Sequence, residues 1–102
     1  MIYIDDSKIH GKGVFTDEDI EKNIVIEKIP YIEIRRDEKI PNSLKNYTFG
    51  LKNSNLCLMM SKSSFLNHSD KPNSEIVENK GELKLISLNY ICKGEELTIK
   101  YM

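Results

Sequence analysis

Hydrophobic positions fall in short runs rich in β-branched residues, separated by polar or glycine-containing breaks, and helical periodicity is weak throughout. Residues 24–34, IVIEKIPYIEI, predict a strand, a bend at Pro30 and a second strand, because proline cannot continue a ladder. Residues 47–51 and 56–60 flank the polar cluster Asn53, Ser54 and Asn55 and predict a hairpin. A second hairpin is predicted where 75–78 and 82–88 flank Asn79, Lys80 and Gly81, with the glycine free to take positive φ. Lys93 and Gly94 then turn into a last strand over 95–101. Its Leu97 and Ile99 alternate with Thr98 and Lys100, the pattern of a half-buried strand ending at the terminus. Two helical turns are expected: an acidic one over 17–21, and one over 41–46 with Pro41 at its first position. The fold class is therefore mainly β, with few short helical turns.

Length and charge narrow the picture. At 102 residues and 11.8 kDa the expectation is a single domain spanning 1–102. The 39% hydrophobic and 30% charged content suits a folded globular chain and argues against disorder. A formal charge of −1 and a pI near 6.1 give no excess of cations to meet phosphates, so the expected partner is basic and not nucleic acid. Cys57 and Cys92 stand far apart with no ligand spacing beside them, so no metal site is expected and both read as reduced core thiols. No apolar run approaches the length of a membrane span, and the N-terminus turns acidic at Asp5. An intracellular chain, neither exported nor embedded, is the expectation.

Three segments could carry chemistry. In IHGKGVFT, residues 9–16, Gly11 and Gly13 flank Lys12; such a pair serves a tight turn between strands or a close backbone approach to a ligand, the turn being the commoner use. In FLNHSDKPN, residues 65–73, Asn67, His68 and Ser69 precede Asp70, Lys71, Pro72 and Asn73. That density of backbone-bonding side chains suits an ordered loop, either a structural knot of Asx and Ser turns or a site. In GEELTIKY, residues 94–101, Tyr101 closes the last strand, where a phenol either packs or orients a reacting group.

Together, in this order and at these separations, GKGVF, FLNHSDKPN and GEELTIKY resemble the GxG segment, the NHSxxPN motif and the closing GEELTxxY strand of the SET-domain protein-lysine methyltransferases. The match runs from Ser7 to Tyr101 and is similar to the compact single-domain members of viruses and bacteria. The resemblance implies a SET-domain fold of several small sheets, with a C-terminal knot-like arrangement that brings the NHS motif beside the terminal tyrosine. It implies S-adenosylmethionine as cofactor, cradled by the backbone of Gly11, Lys12 and Gly13, with Asn67 and His68 adding side-chain and backbone contacts. It also implies Tyr101 as the catalytic residue.

The chemistry implied is attack of a lysine amine on a sulfonium methyl, in a site that aligns the two and excludes water. The expected substrate is a lysine of a basic, histone-like protein or peptide, docking along a strand edge. Departures from the family pattern bear on the lysine channel: Ser64 stands where many relatives carry Arg, and Ile76 where some carry a second channel tyrosine. Tyr47 and Phe49 are the aromatic candidates for its wall, beside Ile76. Only Met102 follows Tyr101, so the expectation is a site without the segment that roofs larger relatives, left open or closed by a partner such as a second copy in a homodimer. Two alternatives stand beside the enzyme: a catalytically weak SET domain that binds protein or cofactor, and a structural β-rich module whose motif matches are accidental.

Overall fold

The computed structural model describes residues 1–101. Among them are ten strands: β1 (Ile2–Asp6), β2 (Lys12–Thr16), β3 (Val25–Ile29), β4 (Tyr31–Ile34), β5 (Thr48–Gly50), β6 (Leu56–Met59), β7 (Asn67–His68), β8 (Ser74–Asn79), β9 (Glu82–Ser87) and β10 (Glu96–Ile99). They form three small sheets, ordered β1-β2-β10-β7, β3-β9-β8 and β4-β6-β5. The helical elements are one turn, α1 (Asn42–Lys45), and a 3-10 turn over Lys62–Phe65.

Pro30 does more than bend a strand. It passes the chain from β3, paired antiparallel with β9, to β4, paired antiparallel with β6 in a different sheet. Its carbonyl accepts from the Met60 backbone N–H at 2.7 Å, so the break in the ladder is closed from the far end of β6. Both expected hairpins form. In β8–β9 the pair Asn79↔Glu82 belongs to the strands, and only Lys80 and Gly81, at φ of 52° and 79°, make the turn. Two consecutive positive φ values are the geometry whose twist matches a two-residue hairpin.

The last strand departs from its expected pattern. β10 lies between antiparallel β2 and parallel β7, and Thr98 at 7% exposure is buried along with Leu97 and Ile99. The segment entering β8 lies against Thr98, whose hydroxyl accepts from the Asn73 N–H at 3.4 Å, so the expected solvent-facing side is covered. It ends at Ile99, short of the terminus. The expected acidic helical turn over 17–21 is absent. The Thr16 hydroxyl donates to the Glu18 carbonyl and accepts from its N–H, and Ile20 is drawn into a bridge with Ile91. Threonine's side chain here offers the backbone an alternative to a helix, and the buried Ile20 fixes it. The second helical turn does form, but Pro41, with ψ of 143°, is its N-cap and not its first residue.

Val14, Cys57, Leu83, Leu85, Ile91 and Leu97 form the most buried part of the core. Cys57 is a core thiol as expected, and burial pushes its pKa up to about 11. Cys92 is not: it is exposed, on the turn that leads to β10.

Candidate active site

The glycine-flanked segment is both a turn and a strand start. The Ser7 N–H donates to the Gly11 carbonyl at 2.8 Å, and Gly11 sits at φ of 47°, where a side chain would be strained. The Ser7 hydroxyl accepts from the Ile9 N–H at 2.9 Å, tightening the same turn. Lys12 and Gly13 already belong to β2. The Lys12 ammonium lies 2.6 Å from Asp6 Oδ1 across the β1–β2 pair, so this side chain is folded back along β1. The contact holds the Asp6 carboxyl below, and the Lys12 ammonium above, their usual ranges. No atom lies within 4 Å of where a Gly11 Cβ would stand, so the backbone at the turn is open to approach.

Asn67 ties this turn to the rest of the site. The 3-10 turn before it is fixed by the Ser61 hydroxyl, which accepts from the Ser63 N–H at 3.3 Å, and by Glu27, whose carboxylate accepts from both serine hydroxyls. The Asn67 side chain then emerges buried, with its amide nitrogen 3.0 Å from the carbonyls of both His10 and Lys12. The same nitrogen lies 3.1 Å from Ser7 Oγ and 2.9 Å from Glu96 Oε2. Oxygen surrounds that end of the amide, which fixes its orientation: a flipped amide would set one acceptor against several others.

β7 and β10 run parallel with Asn67 opposite Thr98 and His68 opposite Ile99, and the Ser69 N–H donates to the Ile99 carbonyl at 2.9 Å. Asn73 grips β10 a second time. Its Nδ2 donates to the Glu96 carbonyl at 2.8 Å, and its Oδ1 accepts from the Thr98 N–H at 2.9 Å.

His68 and Tyr101 meet at the end of these strands, their ring centroids 5.3 Å apart. The Tyr101 N–H donates to His68 Nδ1 at 2.9 Å, so the ring hydrogen belongs on Nε2, which lies 3.0 Å from Asp70 Oδ1. Each imidazole nitrogen thus has one partner, and together they set the tautomer. The Tyr101 hydroxyl donates to the Leu66 carbonyl. Burial raises the phenol's pKa above its ordinary value, although the residue as a whole is 51% exposed.

Of the residues singled out by sequence, the structure brings together Gly11, Lys12, Gly13, Asn67, His68 and Tyr101. Tyr47 comes near: its ring packs edge-on against Phe65 at 5.6 Å, one residue from the Leu66 carbonyl that receives the Tyr101 hydroxyl. Phe49 and Ile76 instead pack, half-buried, against the hydrophobic core. Sequence reasoning missed Ser7 and Glu96. The one signal for them is the polar residue before the glycine turn and the second glutamate of GEEL, neither of which carries chemistry until the fold joins them. Gly11, Lys12 and Tyr101 are exposed, so the converging residues form an open surface, and a groove of about 720 Å³ between Lys28–Tyr31 and Gly81–Leu83 lies elsewhere.

No curated protein sequence matches the chain significantly. Among solved structures, that of a "putative histone methyltransferase" from Plasmodium falciparum is similar at 33% identity and a TM-score of 0.85, covering 99% of this chain and 92% of that one. The SET domain family profile matches residues 11–102, from the glycine turn through the closing strand. With the three motifs joined in space and the family match running over nearly the whole length, the chain belongs to the SET-domain family.

Proposed function

We propose that this SET domain is a protein-lysine N-methyltransferase that uses S-adenosylmethionine. One observation carries the reading: Asn67 bonds the backbone of the glycine turn while its neighbour His68 holds the backbone of Tyr101, so three segments distant in sequence share one surface. The residues fit the cofactor. The backbone at Gly11 is unobstructed, the Lys12 side chain is folded away onto Asp6, and the Tyr101 phenol and Leu66 carbonyl set two electron-rich oxygens side by side. Such oxygens complement the partial positive charge of a sulfonium carbon. The cofactor, when bound, supplies a methyl group activated by that sulfonium.

The remaining work is positioning. A lysine amine has a pKa of about 10.4 in water and attacks only when neutral, so a partly desolvated site favours the reacting form. Burial raises the Tyr101 pKa, which disfavours the phenolate, and the phenol oxygen can accept from the amine and orient the lone pair. His68, fixed by Asp70, holds the Tyr101 backbone so that the phenol keeps its aim. Net charge of −1 and exposed acidic residues such as Asp5, Asp17 and Glu18 favour a basic, histone-like peptide as substrate. A second reading, a binding module with weak catalysis, is favoured by the half-exposed Tyr101 on an open surface. A second copy of the chain closing that surface would reconcile the two.

The test is calorimetric titration with S-adenosylmethionine, followed by mass spectrometry of the chain mixed with histones. Binding together with added methyl mass on lysine is the expected result. Binding without transfer points to a missing partner or substrate, and neither binding nor transfer defeats the enzyme reading and leaves a domain that acts by binding protein.

A further inference from the structure

We infer that Glu96, acting with Ser7, is a positioning residue that pre-shapes the glycine turn for the cofactor; the inference rests on the function proposed above. The Glu96 carboxylate accepts from the Ser7 hydroxyl, which lies 2.8 and 2.9 Å from its two oxygens, and from Asn67 Nδ2 at 2.9 Å. The Ser7 oxygen accepts the Ile9 N–H at 2.9 Å, so its proton is directed to the carboxylate. One charged group thereby orients a hydroxyl that shapes the turn from its start and an amide that bonds the turn's carbonyls at His10 and Lys12. Bonds to an ionised acceptor are about twice as strong as neutral ones, so the anion is the anchor of the cluster.

The second glycine of the GxG segment takes its meaning from this carboxylate. A Cβ at Gly13 would stand 2.3 Å from Glu96 Oε2 and 3.1 Å from the Ser7 Cβ. Gly13 has no positive φ to accommodate. Its missing side chain is the space in which the carboxylate sits, whereas Gly11 answers a backbone need. Thus the two glycines have different tasks, and only one faces open space.

Glutamine is the informative replacement. It keeps the shape of Glu96 but puts an N–H₂ where an acceptor is needed, against the Ser7 hydroxyl or the Asn67 amide. Glu96→Gln should raise the Kd for S-adenosylmethionine about tenfold by calorimetry, with cofactor KM rising in parallel and kcat at saturating cofactor unchanged. In the free protein the Ile9 amide should exchange its hydrogen about tenfold faster, a readout that needs no ligand. Ser7→Ala should give the same pattern. Ser87→Ala is the control for lost stability alone, since that buried hydroxyl bonds the Glu21 carbonyl and the Ile24 N–H in the β3–β9 region. It should lower the melting temperature and leave cofactor affinity as it was. If wild type binds and Glu96→Gln changes affinity no more than Ser87→Ala, the positioning role is overturned while the methyltransferase reading stands. If wild type itself binds no cofactor, the functional reading falls and takes the inference with it.

Discussion

The seam where β10 meets β2 and β7, and the β4-β6-β5 sheet, are built on opposite principles. Along the seam, buried Asn67, Asn73, Ser74 and Thr98 make hydrogen bonds that depend on which atom each side chain presents. In the outer sheet the strands are joined by their backbone ladders, the core face is apolar, and Ile32 and Met60 are left 55% and 54% exposed. Its side-chain bonds, such as those from Asn53 and Asn55 to Glu33, lie at the surface. A buried polar network tolerates few residue types, because each unpaired group costs its full desolvation. An apolar face requires only volume and hydrophobicity.

The comparison can be broken most sharply at Tyr101. Tyr101→Phe should lower methyl transfer by about a hundredfold, with cofactor affinity nearly unchanged, since the lost hydroxyl is assigned to the transition state. Equal rates for the two proteins would strip the phenol of its role. Next in size, Asn67→Ala should reduce stability by about 1 to 3 kcal/mol in denaturant titration and weaken the cofactor, because it leaves the His10 and Lys12 carbonyls without this donor. Unchanged stability would mean that the seam is not held by its polar bonds.

A pair of glycines tests the two regions against each other. Gly13→Ala in the seam should cost about 1 to 3 kcal/mol, as its Cβ would displace the Glu96 carboxylate. Gly50→Ala in β5 meets nothing within 4 Å and needs no positive φ, so its effect should stay within about 0.5 kcal/mol. Similar losses at both sites would erase the distinction.

The smallest expected effect is alkaline. Burial raises the Cys57 thiol to about 11, so from the ordinary thiol range of about 8.5 upward the unfolded chain releases a proton that the folded one keeps. The folded state then binds more protons. This contribution is fully present below the unfolded pKa and is lost as pH rises toward the folded one. Stability should therefore fall with pH in that window, and more shallowly in Cys57→Val. A thiol reagent at pH 8 should meanwhile label exposed Cys92 and spare Cys57.

What was legible in the sequence follows the same division. The three motifs could be read because the seam needs particular atoms at particular places, and Asn67, His68 and Tyr101 do share a surface. Pro30 and the Lys80-Gly81 turn were readable because proline and glycine carry their backbone preferences with them. The helical turn over 17–21 failed because a local acidic pattern cannot report the bridge between Ile20 and Ile91, seventy-odd residues apart. Thr98 looked like a solvent-facing residue for a similar reason: Asn73 and Ser74, some 25 residues earlier in the chain, lie against it. Ser7 and Glu96 were invisible because each is ordinary until the other is beside it.

The position of β10 has a consequence in time. It is an inner strand of a four-stranded sheet whose other members come from the first sixth of the chain and from two thirds of the way along it. β2 can pair with β1 early, but neither β2 nor β7 can reach β10 until two long loops have closed, which is the slow kind of pairing. The glycine turn, the NHS motif and the terminal tyrosine should thus become a site in the same event that completes the sheet. An assembly intermediate with a finished site and an unfinished fold has no place on that route, and refolding followed by cofactor binding should report the same rate as refolding followed by hydrogen exchange at Leu97.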